Sequence, residues 1–330
     1  MAHSPNMDAI REVALRAMPE AEWEIHRPKI ERILELKRQK NAVILAHTYQ
    51  SPQIFLTVAD VQGDSLQLAR EATKVEADII VQAGVKFMAE TSKVLNPHKT
   101  VLIPSLEAGC SLAEGITGAD VRVLKAQHPG VPVVTYVNTN ADVKAESDIC
   151  CTSANAVEVV ESLGVPEVIF LPDQYLGKYV ASQTKVRIIN GTGSCMVHER
   201  FTPQDIFELR RLYPGLMVMA HPECPPEILN EADYVGSTSG MTRMVRESGL
   251  KRIALITECS MSANVAAQNP EVEIVRPCKL CPHMQQITLD NIITCLETGQ
   301  FEITILEDIR VRAQQAIDRM LQVRAGVRGA

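Results

Sequence analysis

The sequence predicts an α/β protein: three homologous three-layer α/β domains arranged with pseudo-threefold symmetry around a central active site. Three observations lead there. Short apolar runs are each followed by turn residues and a helical pattern, a polar motif recurs at a nearly constant interval, and cysteines recur once per interval. Pro28 to Lys40 reads as a helix with Ile30, Ile33 and Leu34 on one face, and Asn41 interrupts it. The first strand follows at Ala42–Ala46. Comparable runs occur at Ala77–Val81, Val131–Val137, Val165–Leu171, Leu216–Ala220 and Arg252–Thr257. Strands that alternate with helices in this way form parallel sheets rather than a helical bundle. The boundaries expected are an N-terminal extension over 1–27 and a first domain over 28–115, completed by a C-terminal helix near 305–325. A second domain spans 116–200 and a third 201–304.

Composition narrows the class. The 330 residues are 46% hydrophobic and 22% charged, as a globular core requires. Only 13 are Phe, Tyr or Trp, so the core rests on aliphatic side chains. A formal charge of -7 speaks against a nucleic-acid partner, which would call for a concentrated basic surface. The first twenty residues carry Asp8, Glu12 and Glu20 and lack an apolar signal core, and no run is long enough to cross a bilayer. The expected location is therefore the cytoplasm, without a membrane partner, where structural disulfides are disfavoured.

The repeat is carried by polar residues. His47 precedes Gly63-Asp64-Ser65; Tyr136-Val137-Asn138 precedes Cys151-Thr152-Ser153-Ala154-Asn155; His221-Pro222-Glu223 precedes Gly236-Ser237-Thr238-Ser239-Gly240. Tyr136 to Ser153 and His221 to Thr238 are each 17 residues, and His47 to Ser65 is 18. Cys110, Cys195 and Cys281 lie late in the three segments, 85 and 86 residues apart. One thiol per repeat can meet near a common axis. Cys150, Cys151, Cys224, Cys259 and Cys295 fall outside that register and read as small buried side chains. Cys278 has no preferred role.

Three thiolates could bind three irons of a cubane cluster and leave the fourth open as a Lewis acid. Zinc is the rival, because it also takes thiolate and imidazole. His198, three residues after Cys195, reads as a structural or substrate-contact residue ahead of a ligand. His47 and Tyr49 form H-x-Y at a strand exit and suit proton positioning; His221 and Glu223 supply a second base and a carboxylate. Tyr136 and Asn138 suit a small acidic substrate. Ser65, Ser153, Ser237 and Thr238 offer hydroxyls, although any one of them taken alone reads first as a helix cap. A nicotinamide-dependent oxidoreductase is disfavoured, since no G-x-G-x-x-G follows the first strand. Dehydration of a small hydroxy acid and a zinc-stabilised binding module are the competing classes.

With these motifs in hand, the chain resembles the quinolinate synthase A family over about residues 28–310. The resemblance rests on His47-Thr48-Tyr49, Gly63-Asp64-Ser65, Tyr136-Val137-Asn138-Thr139, Thr152-Ser153, Gly193-Ser194-Cys195-Met196-Val197-His198, His221-Pro222-Glu223-Cys224, Gly236-Ser237-Thr238, Thr257-Glu258 and Cys281-Pro282-His283-Met284. It implies a transferase of NAD biosynthesis that condenses iminoaspartate with dihydroxyacetone phosphate to quinolinate, releasing phosphate and water. It further implies one [4Fe-4S] cluster per chain with Cys110, Cys195 and Cys281 as its three protein ligands. Tyr136, Asn138, Ser153, His221, Ser237 and Thr238 match substrate contacts, with Ser65 a hydroxyl near substrate. His47, Tyr49 and Glu223 match the groups that guide protons, and His47 and Glu223 match substrate contacts as well. An L-aspartate oxidase or aspartate dehydrogenase supplying iminoaspartate is the expected functional partner. Some family members carry C-x-x-C-x-x-C near the last ligand; here only Cys278-Lys279-Leu280-Cys281 stands.

Overall fold

The computed structural model describes residues 6–323. Its twelve strands are β1 Ala42–His47, β2 Val61–Gly63, β3 Ile79–Ala83, β4 Thr100–Leu102, β5 Val133–Tyr136, β6 Ile149–Cys151, β7 Glu167–Leu171, β8 Arg187–Asn190, β9 Met217–Ala220, β10 Tyr234–Val235, β11 Arg252–Ile256 and β12 Glu273–Val275. They form three four-stranded sheets with one strand order: β2-β1-β3-β4, β6-β5-β7-β8 and β10-β9-β11-β12. Every pairing between these strands is parallel. The mixed α/β class expected from the sequence is therefore present, with all six predicted runs at the central strands of the sheets.

Central position explains why those six runs are apolar. Ile253, Ala254, Leu255 and Ile256 of β11 are all fully buried, because helices cover both faces of the sheet. Alternate residues serve different layers: Ala254 and Ile256 join a cluster with Phe201 and Ile206, while Ile253 and Leu255 join one with Met241 and Val265. A larger cluster runs continuously through the first two sheets, the N-terminal helices and the C-terminal helix.

The N-terminal helix differs from expectation. It spans Glu20–Lys40, with Pro28 inside it. Pro28 lies on the exposed face, so the backbone bond it cannot make faces water, while Trp23, Ile30 and Ile33 bury the other side. Asn41 ends the helix in the left-handed region at φ 49°, a conformation that asparagine tolerates better than most side chains.

The chain's last segments return to the earlier sheets. The helix Leu289–Thr298 packs on Glu20–Lys40. Ile303 N then donates to Val101 O and Ile103 N to Phe301 O, adding backbone to the edge at β4. The helix Glu307–Gln322 lies against β6, the helix Ala141–Ala145 and the helix Lys86–Leu95. Among the described residues no helix is long and apolar enough to cross a membrane.

Cysteine usage also departs from expectation in one pair. Cys150, Cys151, Cys224 and Cys295 are buried free thiols, as packing predicts. Cys259 instead forms a disulfide with Cys278, which corrects both the packing role and the absence of disulfides inferred for it. The reason is local: Cys259 N donates to Lys279 O, so the start of one helix is tied to the strand of chain that carries Cys278, with Cα atoms 4.8 Å apart.

Candidate active site

In each sheet the chain leaves the first central strand in one direction and the second in the other. The carboxyl ends of those neighbours therefore open a crevice, the place where parallel α/β sheets bind ligands. His47 and Tyr49 leave β1, Tyr136 and Asn138 leave β5, and His221 and Glu223 leave β9. All six line one cavity, together with Ser65, Ser153, Thr238, Cys110, Cys195 and Cys281. Ser237 does not line it; its hydroxyl caps the helix Thr238–Glu247 by accepting from Gly240 N.

Two of the three loops, those after β1 and β9, repeat in atomic detail. His47 Nδ1 accepts from Tyr49 N at 3.1 Å, and His221 Nδ1 accepts from Glu223 N at 3.4 Å. Both imidazoles are thereby fixed with Nε2 carrying the proton in the neutral form. His221 Nε2 sits 3.2 Å from Ser153 Oγ, to which it donates. Burial lowers the His47 pKa to about 4 and that of His221 to about 3, so both rings are neutral near pH 7.

A hydrogen-bonded chain crosses the cavity wall. Tyr49 Oη lies 2.7 Å from Thr257 Oγ1, which lies 2.9 Å from His198 Nε2. His198 Nδ1 is 2.8 Å from Glu223 Oε2, and Tyr136 Oη donates to Glu223 Oε1 at 2.6 Å. Burial alone would raise the Glu223 carboxyl, but His198 and His221 beside it, with the bonds from His198 and Tyr136, hold it below the usual range. Burial, reinforced by Glu223, pushes both Tyr49 and Tyr136 well above their ordinary value, so both remain hydroxyl donors. The wall thus presents an ionised acceptor among neutral donors.

The remaining lining decides what fits. Val85, Phe87, Met88, Met196 and Val197 form an apolar wall, and among the described residues no lysine or arginine lines the cavity. Ser65 and Thr238 are the first residues of the helices Ser65–Ala72 and Thr238–Glu247, so backbone N–H groups and helix dipoles face the cavity instead. Such a site suits a small anion held by N–H and O–H donors. His198 was expected as a structural or substrate-contact residue, but its bonds to Thr257 and Glu223, and the apolar wall, have no counterpart in the sequence pattern. Their signal is the short distance from motif residues, which only folding reveals.

The expected cofactor is corrected. Among the described residues, the metal-ligating atoms that lie within 4.8 Å of one another belong to Cys195, His198 and Glu223, with one cysteine rather than three. A [4Fe-4S] group on Cys110, Cys195 and Cys281 is not the ligand set assembled at that range. The register places one thiol in each segment but is silent about what stands beside it. After Cys195 the short turn His198–Arg200 folds the imidazole back, leaving Nδ1 3.1 Å from Sγ, and Glu223 reaches in from β9. The Cys195 loop is itself pressed onto the end of β7: a Cβ at Gly191 would meet Pro172 O at 2.6 Å. Thiol, imidazole and carboxylate are donors of the kind that bind a divalent transition metal.

Comparison with known proteins follows the same geometry. The family model described as quinolinate synthetase A protein matches residues 31–322. The chain belongs to the quinolinate synthetase A family. Within that family it is 60% identical over 308 residues to quinolinate synthase 2 of Mesorhizobium japonicum, covering 93% of this chain and 95% of the relative. Quinolinate synthase 1 of the same organism is 59% identical over 319 residues, covering 97% and 98%. Quinolinate synthase of Agrobacterium fabrum is 59% identical over 308 residues, covering 93% and 89%. Family membership thus spans nearly the whole chain, including every loop that reaches the cavity.

Proposed function

We propose that this enzyme condenses iminoaspartate with dihydroxyacetone phosphate to quinolinate, releasing phosphate and water, in the de novo route to NAD. The observation that carries the reading is the cavity where the loops after β1, β5 and β9 meet, in a chain of this family. Both substrates are small anions, and the cavity offers them hydroxyls, neutral imidazoles and helix N-termini. Tyr136, Asn138, Ser153, His221, Ser65 and Thr238 hold the substrates, with Ser237 ordering the turn that presents Thr238. His47, Tyr49 and Glu223 move protons, and His47 and Glu223 contact substrate as well. Neutral His47 and His221 give or take a proton near pH 7, and the Glu223 carboxylate, kept ionised by its neighbours, orients the Tyr136 hydroxyl and the His198 ring. The apolar wall keeps water from the imine, whose hydrolysis would waste it.

The division expected from the sequence, 28–115, 116–200 and 201–304 after an N-terminal extension, belongs to the same reading. Three related units around one pseudo-threefold axis account for the common strand order and the matching loops. The enzyme acts in the cytoplasm beside a supplier of iminoaspartate, an L-aspartate oxidase or aspartate dehydrogenase.

The test is direct. Purified protein handled without oxygen and given both substrates is expected to form quinolinate, and Glu223→Gln to slow turnover by roughly 100-fold or more. Folded protein that consumes neither substrate and yields no quinolinate would overturn the reading.

A further inference from the structure

Two buried side chains outside the cavity perform the same task on two different loops. After β1 the loop runs His47-Thr48-Tyr49-Gln50; after β5 it runs Tyr136-Val137-Asn138-Thr139. The loops are equivalent by their hydrogen bonds: Thr48 N donates to Gly63 O at the end of β2, and Val137 N to Cys151 O at the end of β6. Tyr49 and Asn138 therefore occupy the same place. In the first loop, Asn264 Nδ2 donates to Thr48 O at 3.0 Å and to Gln50 O at 2.8 Å. In the second, Lys144 Nζ donates to Val137 O at 2.9 Å and also to Thr139 O. Each donor grips the two carbonyls that flank the residue facing the cavity.

Neither donor is an ordinary surface group. Asn264 and Lys144 are both fully buried. Lys144 stands 5.5 Å from the centre of the Phe87 ring, whose other neighbours include the cavity. Asn264 belongs to the helix Cys259–Gln268, which follows β11, yet it holds a loop of the first sheet. In the loop after β9 the matching position is Pro222, which has no N–H to give and whose ring already fixes φ. All three loops thus carry a stiffening device, built from an amide, an ammonium and a proline.

We infer that Asn264 and Lys144 are positioning residues: each clamps the two flanking carbonyls and so sets the direction of Tyr49 and Asn138 toward substrate. The need is plain at Asn138, whose Oδ1 is buried without a protein partner and so is reserved for a ligand. A side chain on an unclamped loop would sample orientations, and misplacement by an ångström can cost about 100-fold in rate. The inference rests on the proposed reaction for its kinetic consequence, but not for its structural one.

The test joins the two. Lys144→Met keeps the stem over Phe87 and removes the donors; Asn264→Leu does the same for the amide. Hydrogen exchange should quicken about tenfold or more at the amides of 136–140 in the first variant and of 47–51 in the second, each leaving the other loop unchanged. Quinolinate formation should fall by roughly tenfold or more through kcat, and Lys144→Met placed on Asn138→Ala should add less than about twofold. Unchanged exchange in the gripped loop, or an undiminished kinetic penalty in the Asn138→Ala background, would overturn the clamp. If wild-type protein forms no quinolinate, the reaction fails while the exchange result still decides the clamp. Should one variant not fold, the other makes the same prediction for its own loop.

Discussion

His47 and His221 show how burial by itself prepares a group for chemistry. Each ring is nearly inaccessible, and each loses basicity chiefly because a buried imidazolium lacks water. A histidine whose folded pKa lies below its unfolded one favours the folded state fully above about pH 6.5. That contribution disappears as pH falls from there to about 4 for His47. Whole-protein melting does not isolate this slope, because burial raises the carboxyls of Glu258 and Asp173, whose titration has the opposite sign. The difference between wild type and His47→Asn does isolate it. That difference in unfolding free energy should shrink by roughly 1.4 kcal/mol per pH unit across the window. A difference independent of pH from 6.5 to 4 would show that the ring is not buried neutral.

At the scale of elements, the six central strands were legible and the six edge strands were not. Central strands are covered on both faces, so nearly every residue in β11 or β3 must be apolar, and the run stands out against its surroundings. Edge strands are only two to four residues long, and β10 is just Tyr234–Val235, both half-buried. Their pairing is bought by backbone bonds to the neighbour rather than by an apolar pattern. Stability should follow the same division. Leu255→Ala in β11 should cost about 2–5 kcal/mol, whereas Val235→Ala in β10 should cost about 1 kcal/mol or less. Urea midpoints measure both; equal losses would remove the distinction between central and edge strands. The Glu20–Lys40 helix makes a related point, since its interior proline hid the first two turns from a pattern that ends helices at proline.

At the scale of the whole molecule, the C-terminal helix fastens elements distant in sequence. Ala313, Ala316, Ile317 and Met320 are buried, while Arg312 reaches Glu146 and Ala145 O and Arg319 reaches Asp148 O. Chain ended at Leu306 would leave β6 and the helix Ala141–Ala145 uncovered. Limited proteolysis should then cut first within 133–190. An unaltered cleavage pattern and melting temperature would show that the helix is dispensable. Lys144 lies on that same short helix, so loss of the C-terminal helix should also loosen the loop bearing Asn138.

The sequence by itself determined the α/β class, the central strands and the residues at their carboxyl ends, because burial on two faces and exit into a crevice both leave local patterns. His47, Tyr49, Tyr136, Asn138, His221 and Glu223 were readable for that reason, and the repeat interval tied them together. Tertiary structure alone decided which groups meet. Cys195 was legible as a thiol in register, but its partners at ligand range, His198 and Glu223, come from a backward turn and a different sheet. The bond between Cys259 and Cys278, and the reach of Asn264 to the loop after β1, were equally invisible. Periodicity records which face of an element is buried. It does not record what stands across the gap, and at this site distances across the gap set the chemistry.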